Sequence, residues 1–120
     1  MRLTLLAISL VLTACNTLPD TYESVDWSIT SQSRYSVMLE FYSQDRNAAW
    51  PGGGQAYIIR DYDEHRYSLR CRSTEKICYG AWVENDPDQY WGAGMDDRFG
   101  CDNCCMICRD GNTKALTLHD

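Results

Sequence analysis

The stretch that decides the fold is Val37-Met38-Leu39-Glu40-Phe41-Tyr42. Val37, Leu39 and Phe41 alternate with Met38, Glu40 and Tyr42, a period of two that reads as a half-buried strand. Moving outward, Pro51-Gly52-Gly53-Gly54 breaks the chain, and residues 55–60 read as a second strand. A turn cluster at Asp61 to His65 precedes a third strand over 66–71. A fourth covers 77–84, Asn85-Asp86-Pro87-Asp88 breaks again, and a fifth covers 89–94. Residues 96–112 read as loop, and 114–119 as a last strand closing the sheet. Short strands separated by such turns predict an all-β domain over residues 34–120, a small antiparallel sandwich or roll.

Composition says how such a domain is held together. From Cys15 onward there are only five Leu, five Ile, three Val and two Phe, but eight Tyr and four Trp. Aromatic rings bury large areas each and stand in for missing aliphatics. Six further cysteines, Cys71, Cys78, Cys101, Cys104, Cys105 and Cys108, offer covalent support of the kind that small exported domains use. The net charge of −6 argues against nucleic acid as a partner and suits a cationic one.

The cysteines admit several pairings. If residues 73–76 form a hairpin loop, Cys71 faces Cys78, and Tyr67, Leu69, Cys71, Cys78, Gly80 and Trp82 share one face. That register allows a cross-strand bridge, while the alternative sends Cys71 or Cys78 to the C-terminal cluster. The cluster itself, Cys101-Asp102-Asn103-Cys104-Cys105-Met106-Ile107-Cys108, is two abutting CxxC units. Structural disulfides are the favoured reading. Zinc held by four thiolates and a thiol-redox centre are the alternatives, although adjacent Cys104 and Cys105 crowd a single four-sulfur site.

No catalytic signature stands out. His65 and His119 are the only histidines, with no nucleophile elbow to accompany them. Asp86, Asp88, Asp96, Asp97 and Asp102 follow no twelve-residue calcium loop, and no Lys-Ser/Thr follows the glycine run. The aromatic residues Tyr79, Trp82, Tyr90 and Trp91 are the candidate contacts for a protein or glycan. Alternation puts Tyr79 opposite in face to Trp82, and Tyr90 to Trp91; the favoured reading is that a small two-layer core covers both faces, and exposed rings free to contact a partner are the alternative.

The N-terminus carries an address. Arg2 precedes a largely apolar run, Leu3 to Leu12, and small residues lead to Cys15. Residues 1–14 have the layout of a signal peptide. Leu12-Thr13-Ala14-Cys15 resembles the lipobox of bacterial lipoproteins. The resemblance implies cleavage before Cys15, a diacylglyceryl group on its thiol and usually acylation (palmitate or similar) of the new amine. Such a protein is anchored in the bilayer of the cell envelope. Asn16 after the Cys favours the outer membrane under the enterobacterial sorting rule. Residues 15–33, rich in Ser, Thr and acids, read as a polar tether, with a short helix near residues 21–27 as the alternative. Residues 71–108, with Gly80-Ala81-Trp82, Trp91-Gly92 and CxxCCxxC, resemble small exported bacterial proteins of no assigned function. The chain is thus expected to be a membrane-anchored, non-enzymatic binding protein of the envelope or periplasm, an inhibitor or immunity type being one form. A metal or thiol-redox protein is the alternative.

Overall fold

A computed structural model describes residues 21–120. The expected signal peptide, Cys15 and the first part of the expected tether lie outside the described residues. The domain is a small all-β sandwich of two packed sheets. Its strands are β1 (Tyr22–Ser31), β2 (Val37–Ser43), β3 (Ala49–Trp50), β4 (Tyr57–Ile59), β5 (Glu64–Arg72), β6 (Lys76–Val83), β7 (Asp86–Gly92), β8 (Cys105–Ile107) and β9 (Thr113–Leu118). Sheet A has the order β5-β1-β9. Sheet B is built on the β2–β6 pair, with β3 and β4 on the outer side of β2, and β7 and β8 on the outer side of β6.

Each expected strand is present, with ends moved by a few residues. The largest departure is β1. Residues 22–31 fell within the expected tether, yet they form the central strand of sheet A, neither tether nor helix. Val25, Trp27 and Ile29 are fully buried, while Ser24, Asp26, Ser28 and Thr30 face outward. The polar half of this alternation made the stretch look solvated. Its apolar half is part of the core.

β1 pairs antiparallel with β5, from Tyr22 opposite Arg72 to Thr30 opposite Glu64. On its other side it pairs with β9 in parallel, Trp27 lying opposite Lys114. This pair is the exception to the antiparallel expectation. Between the sheets, Trp27 meets Phe41 at 5.1 Å and Tyr79 at 6.1 Å between ring centroids. Leu39, Ile59, Leu69, Ile77, Ala81 and Leu118 pack around these rings. Aromatic side chains thus form the centre that the sparse aliphatics complete.

Two turns differ from the sequence expectation. The breaker near residue 85 is a two-residue hairpin loop, Glu84-Asn85, since Val83 lies opposite Asp86. Asn85 adopts φ 69°, a left-handed conformation that Asn tolerates. Asp86, Pro87 and Asp88 belong to β7, an edge strand, where a proline removes no ladder hydrogen bond. The segment expected to be loop over 96–112 holds a single 3-10 turn at Met95–Asp97 and the short strand β8.

The second turn follows Cys71. β5 and β6 do not form a hairpin: residues 72–75 carry the chain from sheet A to sheet B. Glu75, 3% exposed, anchors this crossing. Its carboxylate accepts hydrogen bonds from Ser43 Oγ at 2.6 Å, from Arg72 N–H at 3.0 Å and from the Arg46 guanidinium. Burial pushes its pKa up, but Arg46, Ser43 and the Arg72 N–H outweigh that and hold it below the ordinary value. The ionised form therefore stabilises the fold above the unfolded carboxyl's titration range, and this contribution disappears as pH falls through the lower folded value. Glu75→Gln is expected to cost about 2–3 kcal/mol at pH 7. Urea titrations at pH 7 and pH 3.5 check it: the gap between wild type and variant should shrink at the lower pH.

Three disulfides join Cys71 to Cys108, Cys78 to Cys105, and Cys101 to Cys104. The Cys71–Cys78 pairing is thereby corrected. Its premise was a shared hairpin face, but Leu69 and Cys71 point into the sandwich from sheet A, whereas Cys78, Gly80 and Trp82 lie on the outer side of sheet B. Cys71–Cys108 crosses between the sheets, and Cys78–Cys105 links directly opposed residues of β6 and β8.

Candidate partner-binding face

The candidate contacts Tyr79, Trp82, Tyr90 and Trp91 separate as alternation predicts. Tyr79 points inward onto Trp27. Trp91 also packs against the core, and its indole N–H donates to the carbonyl of His119 at 2.8 Å. Both are structural. Trp82 and Tyr90 lie on the outer face of sheet B, half-buried, and are mutually opposite across β6 and β7.

The registers extend that pair into a row. Ile58 lies opposite Met38, Met38 opposite Trp82, and Trp82 opposite Tyr90. Four strands therefore carry one apolar stripe across the solvent side of the sheet, about 15 Å from end to end at normal strand spacing. Phe99 extends it, its ring 4.1 Å from that of Tyr90. The Phe99 backbone is held there by a hydrogen bond from its N–H to the carbonyl of Ala93 at 3.0 Å. Ile58, Met95 and Phe99 are between 41% and 54% exposed. Met38, Trp82 and Tyr90 are half-buried, with the Phe99 ring packed against that of Tyr90. Ile58, Met38 and Phe99 were not singled out from the sequence. The alternation around Met38 was visible, but the β4–β2 register that aligns Ile58 with it was not.

Beside the stripe runs a second row, Glu40 opposite Gly80 opposite Gly92. Gly80 matters here because a side chain at that position would collide with the hydroxyl end of Tyr90. Tyr90 therefore reaches back across the glycine, and its hydroxyl lies close to Tyr42 and Glu40. Tyr42 is hydrogen-bonded to both. Burial raises the Tyr90 pKa to about 12, with the Glu40 charge adding to it. Burial also raises Glu40, against the opposing hydrogen bond from Tyr42. No ion pair reaches Glu40 among the described residues.

The other candidates do not assemble a reaction centre. His65 lies in β5, opposite Ile29, and not in the turn that the sequence suggests; it meets Asp61 of the preceding turn at 2.6 Å. His119 follows β9 near the C-terminus. Asp86, Asp88, Asp96, Asp97 and Asp102 join no metal-holding group among the described residues. A recess of about 540 Å³ on the outer side of sheet A is lined by Asp26, Ser28, Arg66, Ser68 and Thr113. Its polar walls include no outward-facing ring, and Arg66 is paired with Glu64 at 2.7 Å. The stripe combines apolar and aromatic surface with phenol and carboxylate groups alongside.

No protein-family model, no curated protein and no solved structure matches the chain.

Proposed function

We propose that the chain is a lipid-anchored protein of the bacterial envelope, at the outer membrane, whose β domain binds a partner without catalysing a reaction. The observation that carries the binding part is the apolar stripe through Met38, Trp82 and Tyr90 on the open side of sheet B. A sandwich needs only one face of each sheet buried. Rings on the other face add nothing to the core and raise the risk of non-specific association, so their natural use is a contact surface.

The address rests on the lipobox resemblance at Leu12 to Cys15 and on cysteine chemistry. All six cysteines of the domain are paired as disulfides, which suits an oxidising compartment and supports a structural role for them. Cys15 is then the odd seventh, and acylation accounts for it. Since β1 begins at Tyr22, the linker from Cys15 is far shorter than the tether first expected. Fully extended, it spans about 25 Å, so the domain works close to the membrane surface.

Two experiments test this reading. Cells fed an alkyne palmitate analogue should label the wild-type chain and leave Cys15→Ser unlabelled; equal labelling would remove the anchor. Pulldown from envelope extracts should recover a partner with wild type and with Trp82→Phe, and lose at least nine-tenths of it with Trp82→Ala. Undiminished capture by Trp82→Ala would remove the stripe as the contact. Trp91→Ala is no substitute, because that ring lies against the core.

A further inference from the structure

We propose that the partner is a basic protein, and that one of its Lys or Arg side chains sits over the Trp82 and Tyr90 rings and pairs with Glu40. The proposal rests on the reading of the outer face of sheet B as the contact surface and names the chemistry of what it contacts.

Two independent features of that face point to a cation. The first is Glu40. It lies one row from Trp82 and Tyr90 on the same side of the sheet, half-buried and without a basic partner among the described residues. Its neighbours are phenols, Tyr42 and Tyr90, which bring no compensating positive charge. Burial already strains that charge, since its carboxyl is held above the ordinary value. An incoming ammonium or guanidinium relieves it, and the ring faces add a cation–π attraction.

The second feature is the charge of the surrounding chain. Residues 84–97, which carry Tyr90 at the β7 end of the stripe, contain Glu84, Asp86, Asp88, Asp96 and Asp97 and no Lys, Arg or His, and the one cation that follows, Arg98, lies over the Phe99 ring. An apolar stripe with an acidic border complements a basic, partly apolar surface. It repels an anionic one, including acidic headgroups. A neutral glycan would use the rings but draw nothing from the border.

The test uses the full chain in neutral detergent, with deca-arginine, deca-glutamate and a neutral oligosaccharide as probes. Affinity is read by calorimetry and located by the indole N–H resonance of Trp82. Deca-arginine should bind and shift that resonance, and raising salt from 50 to 500 mM should weaken it at least tenfold. Glu40→Gln should weaken binding at least tenfold as well. Asp63→Asn removes the same charge from an exposed turn elsewhere, and should change binding less than twofold. Circular dichroism confirms that each variant is folded. The proposal is overturned if Glu40→Gln and Asp63→Asn behave alike, if deca-glutamate binds equally well, or if the oligosaccharide binds without regard to salt and Glu40. Loss of partner capture on Trp82→Ala with no effect of Glu40→Gln sinks the cationic partner and spares the stripe. No effect of either substitution sinks both.

Discussion

A Cys71→Ala/Cys108→Ala double variant is expected to lose about 4 kcal/mol of stability. The bridge closes a loop between residues 37 positions apart, and the chain-entropy relation gives this figure for a loop of that size. Location adds to length. Both cysteines are fully buried, and the bond is a covalent tie between β5 of sheet A and the segment after β8 of sheet B. A domain of this size has about 5–15 kcal/mol in total, so the variant should unfold at markedly lower urea concentration. The Cys101–Cys104 bridge spans three positions and should be worth about half as much. Urea denaturation of the two double variants checks both the size and the order. Equal losses would show that loop length does not govern the effect. Peptide mapping of the unreduced protein should recover the three pairings given above, and a Cys71–Cys78 peptide would overturn the sheet crossing at residues 72–75.

The second large effect is expected at Trp27. Its ring is fully buried between Phe41 and Tyr79 and joins the central strands of the two sheets. Trp27→Ala removes the largest side chain of a core that is short of aliphatics, and should cost about 3–5 kcal/mol. Trp27→Phe should cost well under half of that. It keeps most of the ring packing and removes an indole N–H that finds no hydrogen-bond acceptor among the described residues. Thermal unfolding of the pair separates the contributions. A Phe variant as damaged as the Ala variant would mean that the six-membered ring alone cannot fill the space.

Trp27 also shows what was legible in the sequence and what was not. The strand around Val37 to Tyr42 declared itself because its inner and outer residues are both bulky and the alternation is unambiguous. The strand around Trp27 has the same alternation, but Ser, Asp and Thr fill its outer positions. Composition then speaks for a tether and period two speaks for a strand, and burial sides with the period. The opposite faces of Tyr79 and Trp82 followed from strand geometry alone. The disulfide partners did not. Cys71 is seven residues from Cys78 and 37 from Cys108, and local register favours the near one. Only the crossing between sheets, anchored by Glu75 from a distance of 29 residues to Arg46, sends Cys71 to the far one. The apolar stripe was half legible. Trp82 and Tyr90 stood out as rings, while Met38 and Ile58 joined them through a register between strands that no local pattern encodes.

The parallel pairing of β1 with β9 has a kinetic side. Trp27 sits beside Lys114, so the first strand of the domain waits for the last one. Until residues 113–118 have emerged, β1 holds one satisfied edge, against β5, and one open edge. Local contacts close none of this gap, and chains dominated by such distant pairings fold slowly. A chain released N-terminus first therefore leaves this domain incompletely folded until residues 113–118 arrive, and loss of that edge strand leaves the central strand of sheet A unpaired on one side.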